Sequence, residues 1–250
     1  DGGLAAGNGT VALMILVVVL AILLAVGLLI LLGWYLLIKT EGVYLGWRVV
    51  VWLYDLYATR YDRIKDYDRV YEAFFLARPI IQRLRDVPRP LVLDVATGTG
   101  RLPLTLLEQG DFRGRVIGLD LSRKMLFQAA VNLAHHAGHY DLVWHTAMDL
   151  PFPNDTFDLV TCLEAWEFLP RPVEALRQMI RVLRPGGWLL MTNRRGRDAR
   201  LMPGRTFSAA RVFELLKGEM GLIDVEKSLW QVDYELFWAR KPGAAEPMGV

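Results

Sequence analysis

Cysteine and histidine are scarce in this sequence. Its 250 residues include one cysteine, Cys162, and four histidines. A single thiol excludes a framework of internal disulfides and any zinc or iron–sulfur site built from several cysteines, and it favours a reducing compartment. Three histidines, His135, His136 and His139, lie near the predicted end of a helix without an obvious carboxylate partner. This arrangement is more typical of a solvated helix end than of a metal site, so we expect no metal ion.

The chain also lacks an excess of charge of either sign. It has 29 Lys and Arg against 27 Asp and Glu, a net charge of +2. Such a balance argues against a protein that coats nucleic acid. Hydrophobic residues make up 53% of the chain, which is too many for a disordered segment. We therefore expect one folded core domain with an appendage.

Charge is missing altogether from residues 11–38. At about 1.5 Å per residue this run exceeds the roughly 30 Å of a bilayer's hydrocarbon core. The sequence therefore predicts a short tail over 1–10 and a transmembrane helix over 11–38. A cleaved signal peptide is the alternative, but no basic residue precedes the run, and Trp34, Tyr35 and Lys39 at its end are typical of a membrane interface.

The residues that follow the run set its orientation. Lys39 and Arg48 lie on its C-terminal side, and none of residues 1–10 is basic. The positive-inside rule then predicts a single-pass protein of the cell membrane with its main domain on the cytoplasmic side. Residues 39–60 are rich in tryptophan and tyrosine, so we expect an interfacial aromatic segment. Either it lies in the headgroup layer or it packs on the soluble domain.

Strand and helix patterns alternate over residues 61–241, before a C-terminal tail over 242–250. Predicted strands cover 91–95, 116–119, 142–146, 159–163, 188–192, 222–229 and 234–240. Predicted helices cover 102–109, 122 to about 136, and 172–183. Alternation of this kind predicts an α/β domain with a mostly parallel sheet covered on both faces. The last two strands have a short connection, so one of them should run antiparallel.

A glycine-rich loop after the first predicted strand carries the strongest chemical signal. Asp94 ends the strand, and Gly98 and Gly100 would let the backbone approach a ligand at a helix N-terminus. The loop lacks the third glycine of a dinucleotide site, since Pro103 occupies that position. Asp120 ends the second strand, where a carboxylate can accept both hydroxyls of a ribose. Two carboxylates favour a nucleoside that bears a positive charge.

These motifs, with three more, resemble the class I S-adenosylmethionine-dependent methyltransferases. They read LDVATGTG at 93–100, GLDLS at 118–122, AMDLPF at 147–152, NDTFDLV at 154–160 and VLRPGG at 182–187. The likeness extends over roughly residues 61–240 and is strongest to the quinone-biosynthesis branch. It implies a Rossmann-like fold with a seven-stranded, mostly parallel sheet whose last strand is antiparallel.

The resemblance also implies which residues hold S-adenosylmethionine. Asp94 would lie near the ammonium group and Asp120 would bind the ribose, while Leu121 and Met125 would pack on the adenine. The remaining expected contacts are Ala96, Thr97, Gly98 and Gly100 in the glycine-rich loop, Thr146, Ala147 and Met148 after the third strand, and Glu164. Thr146 stands where many relatives have an aspartate, so its contact with the adenine amine should be weaker.

The segment CLEAWEFLP at 162–170 is similar to the C-x-E-x-x-E-H-x-P stretch of quinone O-methyltransferases. Glu164 and Glu167 match this pattern, but Phe168 replaces the histidine, so no catalytic base is assigned. Glu164 could line the cofactor or substrate pocket. Glu167 could instead cap or solvate a helix start.

A cluster of arginines follows the fifth predicted strand. Its members are Arg194, Arg195, Arg197, Arg200 and Arg205. Because ligands bind beyond the carboxyl ends of parallel strands, this loop could hold an anionic acceptor or anionic lipid headgroups. A solvated, mobile basic loop is the alternative.

Two functions remain open at this point. One is a membrane-anchored methyltransferase acting on a small lipophilic acceptor, such as a quinone, an isoprenoid, a pigment precursor or a lipid. The other is a noncatalytic accessory subunit that keeps the fold and docks into a larger membrane protein complex. Both have the lipid bilayer as a partner.

Overall fold

The computed structural model describes residues 3–65 and 67–243. Most of the predicted tail over 242–250, and the first two residues of the tail over 1–10, lie outside these ranges. The strands are β1 Leu91–Val95, β2 Arg115–Asp120, β3 Tyr140–Trp144, β4 Phe157–Cys162, β5 Leu183–Arg194, β6 Ile223–Trp230 and β7 Tyr234–Arg240. The α-helices are α1 Gly3–Trp34, α2 Trp47–Tyr57, α3 Tyr61–Lys65, α4 Arg69–Glu72, α5 Arg78–Arg83, α6 Arg101–Leu107, α7 Arg123–Asn132, α8 Pro172–Val182, α9 Gly196–Arg200 and α10 Ala209–Phe213.

The seven strands form one sheet in the order β3-β2-β1-β4-β5-β7-β6. The five strands β1 to β5 pair in parallel, and β7 runs antiparallel to both of its neighbours, β5 and β6. Side chains of β1 alternate between the two faces, so that Leu93 and Val95 enter one buried cluster while Val92 enters the other. The predicted fold class is confirmed, including the antiparallel last strand.

Several predicted boundaries differ from those in the structure. The helix predicted to reach about residue 136 ends at Asn132, and a short 3₁₀ turn covers Ala134–His136. The Asn132 side chain donates instead to Asp62 Oδ2 and to the carbonyl of Thr99, which fixes the end of α7 against the glycine-rich loop. The helix over the apolar run begins earlier than predicted, at Gly3, and continues as a π-helical turn over Tyr35–Lys39.

Among the described residues, one helix is long and apolar enough to cross a membrane. This apolar span covers Val11–Lys39, and none of its most apolar window is buried in the domain. Length and composition alone make it a membrane-anchor candidate.

The last turn of the span and the segment that leads to α2 are hydrogen-bonded to the domain. We call these residues, 35–46, the joint. The Tyr35 hydroxyl donates to the carbonyl of Leu201 at 2.6 Å, and the Tyr44 hydroxyl donates to the carbonyl of Pro203 at 2.8 Å. The two tyrosine rings stack with their centroids 6.5 Å apart. Within the joint, Thr40 is fully buried, so this connection is packed rather than solvated.

Candidate functional site

The carboxyl ends of β1, β2 and β4 open into a cavity of about 730 Å³. In parallel sheets the segments that follow neighbouring strands meet at one edge, which is where a ligand usually binds. Nine of the twelve residues predicted to hold the cofactor line this cavity. They are Ala96, Gly98, Asp120, Leu121, Met125, Thr146, Ala147, Met148 and Glu164.

Asp120 connects the two loops that form the floor of the cavity. Its Oδ2 accepts a hydrogen bond from the backbone N–H of Gly98 at 2.9 Å, and its Oδ1 accepts one from Ser122 at 2.8 Å. Burial raises the pKa of the Asp120 carboxyl, and these backbone donors oppose that rise. Each carboxylate oxygen keeps further acceptor capacity, which is what a pair of ribose hydroxyls requires.

The two glycines of the loop have different tasks. Gly98 has φ +56°, lines the cavity, and would place a Cβ where no other atom lies within 4 Å. Its bare backbone therefore leaves the space open for a ligand. Gly100 has φ +80° and does not line the cavity; a Cβ there would approach Leu133 at 3.1 Å and Ala129 at 3.2 Å. Gly100 therefore permits a close approach to the C-terminal end of α7, and its contact with the cofactor stays a prediction.

Asp94 and Thr97 also lie behind the cavity wall rather than on it. Asp94 is only 3% exposed and accepts a hydrogen bond from the Thr161 hydroxyl at 2.6 Å. Burial raises the pKa of Asp94 to about 6, and the nearby Asp120 also raises it. Thr97 packs against Gly118 of β2, where a Cβ would lie 2.9 Å from its methyl carbon. Neither residue lines the cavity, so a contact of Asp94 with an ammonium group, directly or through water, and a contact of Thr97 with the ligand stay predictions. Asp94 can act on the cavity through its charge.

The other end of this floor is shaped by the segments after β2 and β3. Ser122 caps α7 by accepting from the N–H of Met125, whose side chain is buried below the cavity. The Thr146 hydroxyl accepts a hydrogen bond from the backbone N–H of Met148 at 3.2 Å. His145 lines the cavity as well.

Glu164 lies at the centre of an ion-pair network that the sequence did not reveal. Its Oε2 lies 2.6 Å from Lys65 Nζ, and its Oε1 lies 2.6 Å from Arg101 Nη1. Arg101 also pairs with the buried carboxylate of Glu72. Burial opposes ionisation of Glu164, but Lys65 and Arg101 outweigh it and lower its pKa. Glu164 is therefore an ionised group on the cavity wall and a poor proton acceptor.

The backbone at Glu164 is unusual too. Its φ is +51°, a conformation that non-glycine residues rarely adopt. Its N–H donates to the Thr192 hydroxyl at 2.6 Å, which stabilises the turn after β4. Lys65 was missed because its mixed-charge surroundings indicate a solvated helix face. Arg101 directly follows the last glycine of the loop, and this position is the sequence feature that could have indicated its place near the site.

The environments of Glu167 and Arg194 differ from those that the sequence predicts. Glu167 neither caps nor solvates a helix, because it is 2% exposed and accepts hydrogen bonds from Arg194 Nε and from the Tyr234 hydroxyl, both at 2.8 Å. Burial raises the pKa of Glu167, and Arg194 opposes that rise. Arg194 Nη2 lies 3.3 Å from Glu41 of the joint. Arg194 therefore neutralises the buried Glu167 and also pairs with the partly exposed Glu41, so its charge is committed to the fold.

Arg205 is likewise committed to the fold. Its guanidinium donates to the carbonyl of Leu169 and to the carbonyl of Val43, both at 3.1 Å. Of the predicted arginine cluster, Arg197 and Arg200 are exposed on α9. Arg194 and Arg205 are therefore committed to the fold, whereas an anion-binding role of Arg195, Arg197 and Arg200 stays a prediction.

The wall opposite the floor comes from α2. Trp47, Val50, Val51 and Tyr54 of this helix line the cavity together with Phe168. Tyr54 and Phe168 meet edge to face at 6.1 Å between ring centroids. The aromatic segment therefore packs on the domain with one face and forms an apolar side of the site, which the sequence left open between two interpretations.

Comparisons with known proteins agree with this geometry. Residues 93–191 match a family model described as "Methyltransferase domain". A demethylmenaquinone methyltransferase of Lactiplantibacillus plantarum is 33% identical over 141 residues, which are 55% of this chain and 59% of the relative. The chain spans about half the length of the curated relatives it matches.

Solved structures show the same fold. A putative S-adenosyl-L-methionine-dependent methyltransferase of Methanococcus maripaludis superposes with a TM-score of 0.60 at 19% identity, covering 77% of this chain and 94% of the other. The [4+2]-cyclase SpnF superposes with a TM-score of 0.57 at 21% identity, covering 68% of this chain and 80% of the other. Since a cyclase shares the fold, the reaction must be argued from the site.

Proposed function

We infer that this chain, which carries a class I S-adenosylmethionine-dependent methyltransferase domain, transfers a methyl group from S-adenosylmethionine to a lipophilic acceptor of the quinone class. The observation that carries this proposal is the cavity itself. One wall presents the Asp120 carboxylate and the bare backbone of Gly98, and the opposite wall is the apolar face of α2. One space thus joins a site for a charged nucleoside to a site for an apolar ring.

The residues at the floor fit the cofactor chemically. Asp94 is buried and Asp120 is partly buried on the cavity wall, and desolvation raises the pKa of both carboxyls. A cation close to them would favour their ionised forms. S-adenosylmethionine carries positive charge on its sulfur and on its ammonium group. Asp120 would accept the ribose hydroxyls, and Leu121 and Met125 would pack on the adenine.

The cofactor would supply a methyl group bonded to a sulfonium sulfur. The chain would hold the two reactants in position and exclude water from the site. Methyl transfer is an in-line displacement, so holding the two reactants in line and excluding water can provide most of the acceleration. Phe168, Tyr54 and Val50 give the acceptor side an apolar surface. Phe168 fills the place of a histidine, so these residues orient an acceptor rather than deprotonate it.

Two observations support a quinone at a membrane surface. The relatives that match at 33–36% identity are named demethylmenaquinone methyltransferases. The apolar span is followed directly by the joint and α2, so the acceptor wall is attached to the membrane-anchor candidate. We propose the lipid bilayer as partner, with the domain on the cytoplasmic side, as Lys39 and Arg48 predict.

Calorimetry on the full-length chain in detergent tests the cofactor site. We expect micromolar binding of S-adenosylmethionine, at least tenfold weaker in Asp120→Asn. Asp141→Asn is the matched control, because Asp141 lies on the neighbouring strand and pairs with the exposed Arg115; its affinity should stay within twofold. Methylation of a demethylated naphthohydroquinone is then measured directly. A folded chain that binds no cofactor would contradict the proposal and favour the accessory-subunit alternative.

A further inference from the structure

We propose that the acceptor enters the cavity sideways from the bilayer, so that its ring reaches the cofactor while an isoprenoid or alkyl tail remains among the lipids. This inference rests on the proposed function and deepens it, since it makes the substrate a membrane-resident quinone with a long tail. We place the entrance to the cavity, called the portal, between the first turn of α2 at Trp47 and the segment 169–171, which both line the cavity.

The portal lies beside the end of the apolar span. Trp47 follows Lys39 by eight residues, and Gly42 and Gly46 between them adopt positive φ angles. On the other side of the portal, Leu169 is held to the joint, because Arg205 donates to the carbonyls of both Leu169 and Val43 at 3.1 Å. Both edges of the portal are thereby fixed next to the span.

Helix α2 runs from the portal to the cofactor end of the cavity. Its residue Asp55 accepts hydrogen bonds from the Ser122 hydroxyl and from the N–H of Lys124, two residues and four residues beyond Asp120. Trp47 lies eight residues before Asp55, which is about 12 Å along an α-helix. A ring bound near Asp120 could therefore extend a tail along α2 and out past Trp47.

The two faces of α2 suit a helix at the edge of a bilayer. Val50 is buried and lines the cavity, whereas Trp52 and Leu56 are each 57% exposed on the outside. Trp47 belongs to both surfaces, since it lines the cavity and is 48% exposed. Amphipathic aromatic rings of this kind prefer the headgroup layer. The outer face of α2 therefore suits the interfacial layer of a bilayer.

Photocrosslinking in vesicles tests the portal without requiring turnover. The full-length chain carries p-benzoylphenylalanine in place of Trp47 or, as control, of Phe127, which is 72% exposed on α7 and does not line the cavity. The vesicles contain phosphatidylcholine, phosphatidylglycerol and a naphthoquinone with an alkyne at the end of its isoprenoid tail. We expect at least fivefold more quinone crosslinked at position 47 than at position 127, and competition by an unlabelled long-tailed quinone.

Two outcomes would overturn the portal. One is equal labelling of positions 47 and 127. The other is labelling of position 47 by an alkyne-bearing phosphatidylcholine as strongly as by the quinone, which would show contact with lipid but no passage of the acceptor. Either result stands apart from a failure of the proposed function, which is read by cofactor calorimetry and methyl transfer.

A kinetic measurement supplies a second variant. In Trp47→Arg the ratio of kcat/KM for a long-tailed naphthohydroquinone to that for a tail-less one should fall at least tenfold, because a charge would stand in the path of the tail. Phe127→Arg should leave this ratio unchanged. An unchanged ratio in Trp47→Arg would mean that the tail does not pass this residue.

Discussion

At the scale of single residues, burial raises the pKa of the Asp94 carboxyl to about 6. Its folded pKa of about 6 exceeds the usual 3.8, so the cofactor-free domain binds this proton more tightly than the unfolded chain does. The stability that this gives is present below about pH 4 and is lost as the pH rises through 6. The affinity for a cationic cofactor has the opposite pH dependence, because the cation favours the ionised carboxylate.

We therefore expect the affinity for S-adenosylmethionine to be about tenfold weaker at pH 5 than at pH 7 and to level off above pH 7, since one carboxyl must lose a proton with a pKa of about 6. Calorimetry across this range measures it. Asp94→Asn cannot ionise, so its weaker binding should not change with pH. A wild-type affinity that is flat from pH 5 to 7 would contradict this assignment.

Arg194 offers a stability prediction. Arg194→Ala leaves the buried Glu167 carboxylate without its cation, and breaking a buried pair in this way costs roughly 3–5 kcal/mol of unfolding free energy. Denaturant unfolding of the domain in detergent measures the loss. Arg197→Ala, on the exposed side of α9, should change stability by less than about 0.5 kcal/mol. Equal effects of the two substitutions would show that Arg194 is not a buried counter-ion.

At the scale of elements, the backbone at the end of the joint adopts a conformation that requires glycine at position 46. Gly46 precedes α2 with φ +97° and ψ 161°, a region that is essentially restricted to glycine. Gly46→Ala should destabilise the domain by about 1–3 kcal/mol and displace the first turn of α2. Thermal unfolding tests this, with Gly110→Ala as control because a Cβ there meets nothing within 4 Å. Similar melting temperatures for both variants would exclude strain at the joint.

The elements that sequence analysis located are those with local signals. The buried run LVLDV predicted β1 with its observed ends, and Ser122 caps α7 as its position indicated. The loops after β1 and β2 meet in the cavity because parallel strands bring their carboxyl ends together. In contrast, Glu164 pairs with Lys65 across 99 residues and Arg194 pairs with Glu41 across 153. The hydrophobic periodicity of the sequence contains no signal for pairs so far apart. The sequence therefore predicted Arg194 in a ligand-binding loop rather than in a buried ion pair.

At the scale of the whole molecule, the side of the membrane on which the domain lies can be read from one introduced thiol. Cys162 is buried, so a membrane-impermeant maleimide should label only the added cysteine of Phe127→Cys. We expect labelling in inverted inner-membrane vesicles of a bacterial host and none in intact cells, because Lys39 and Arg48 orient the span. Labelling in intact cells would reverse the orientation.

The hydrogen bonds of the joint have a mechanical consequence. Tyr35 and Tyr44 attach the end of the span to the loop at Leu201 and Pro203. We therefore expect the span and the domain to move together as one rigid unit. A span of 29 residues is about 43 Å long and must tilt in a hydrocarbon core of roughly 30 Å. A thinner bilayer would increase that tilt and rotate the mouth of the cavity with it. Membrane thickness would thereby alter the orientation of the cavity relative to the bilayer, and lipids of different chain length would alter that orientation by different amounts.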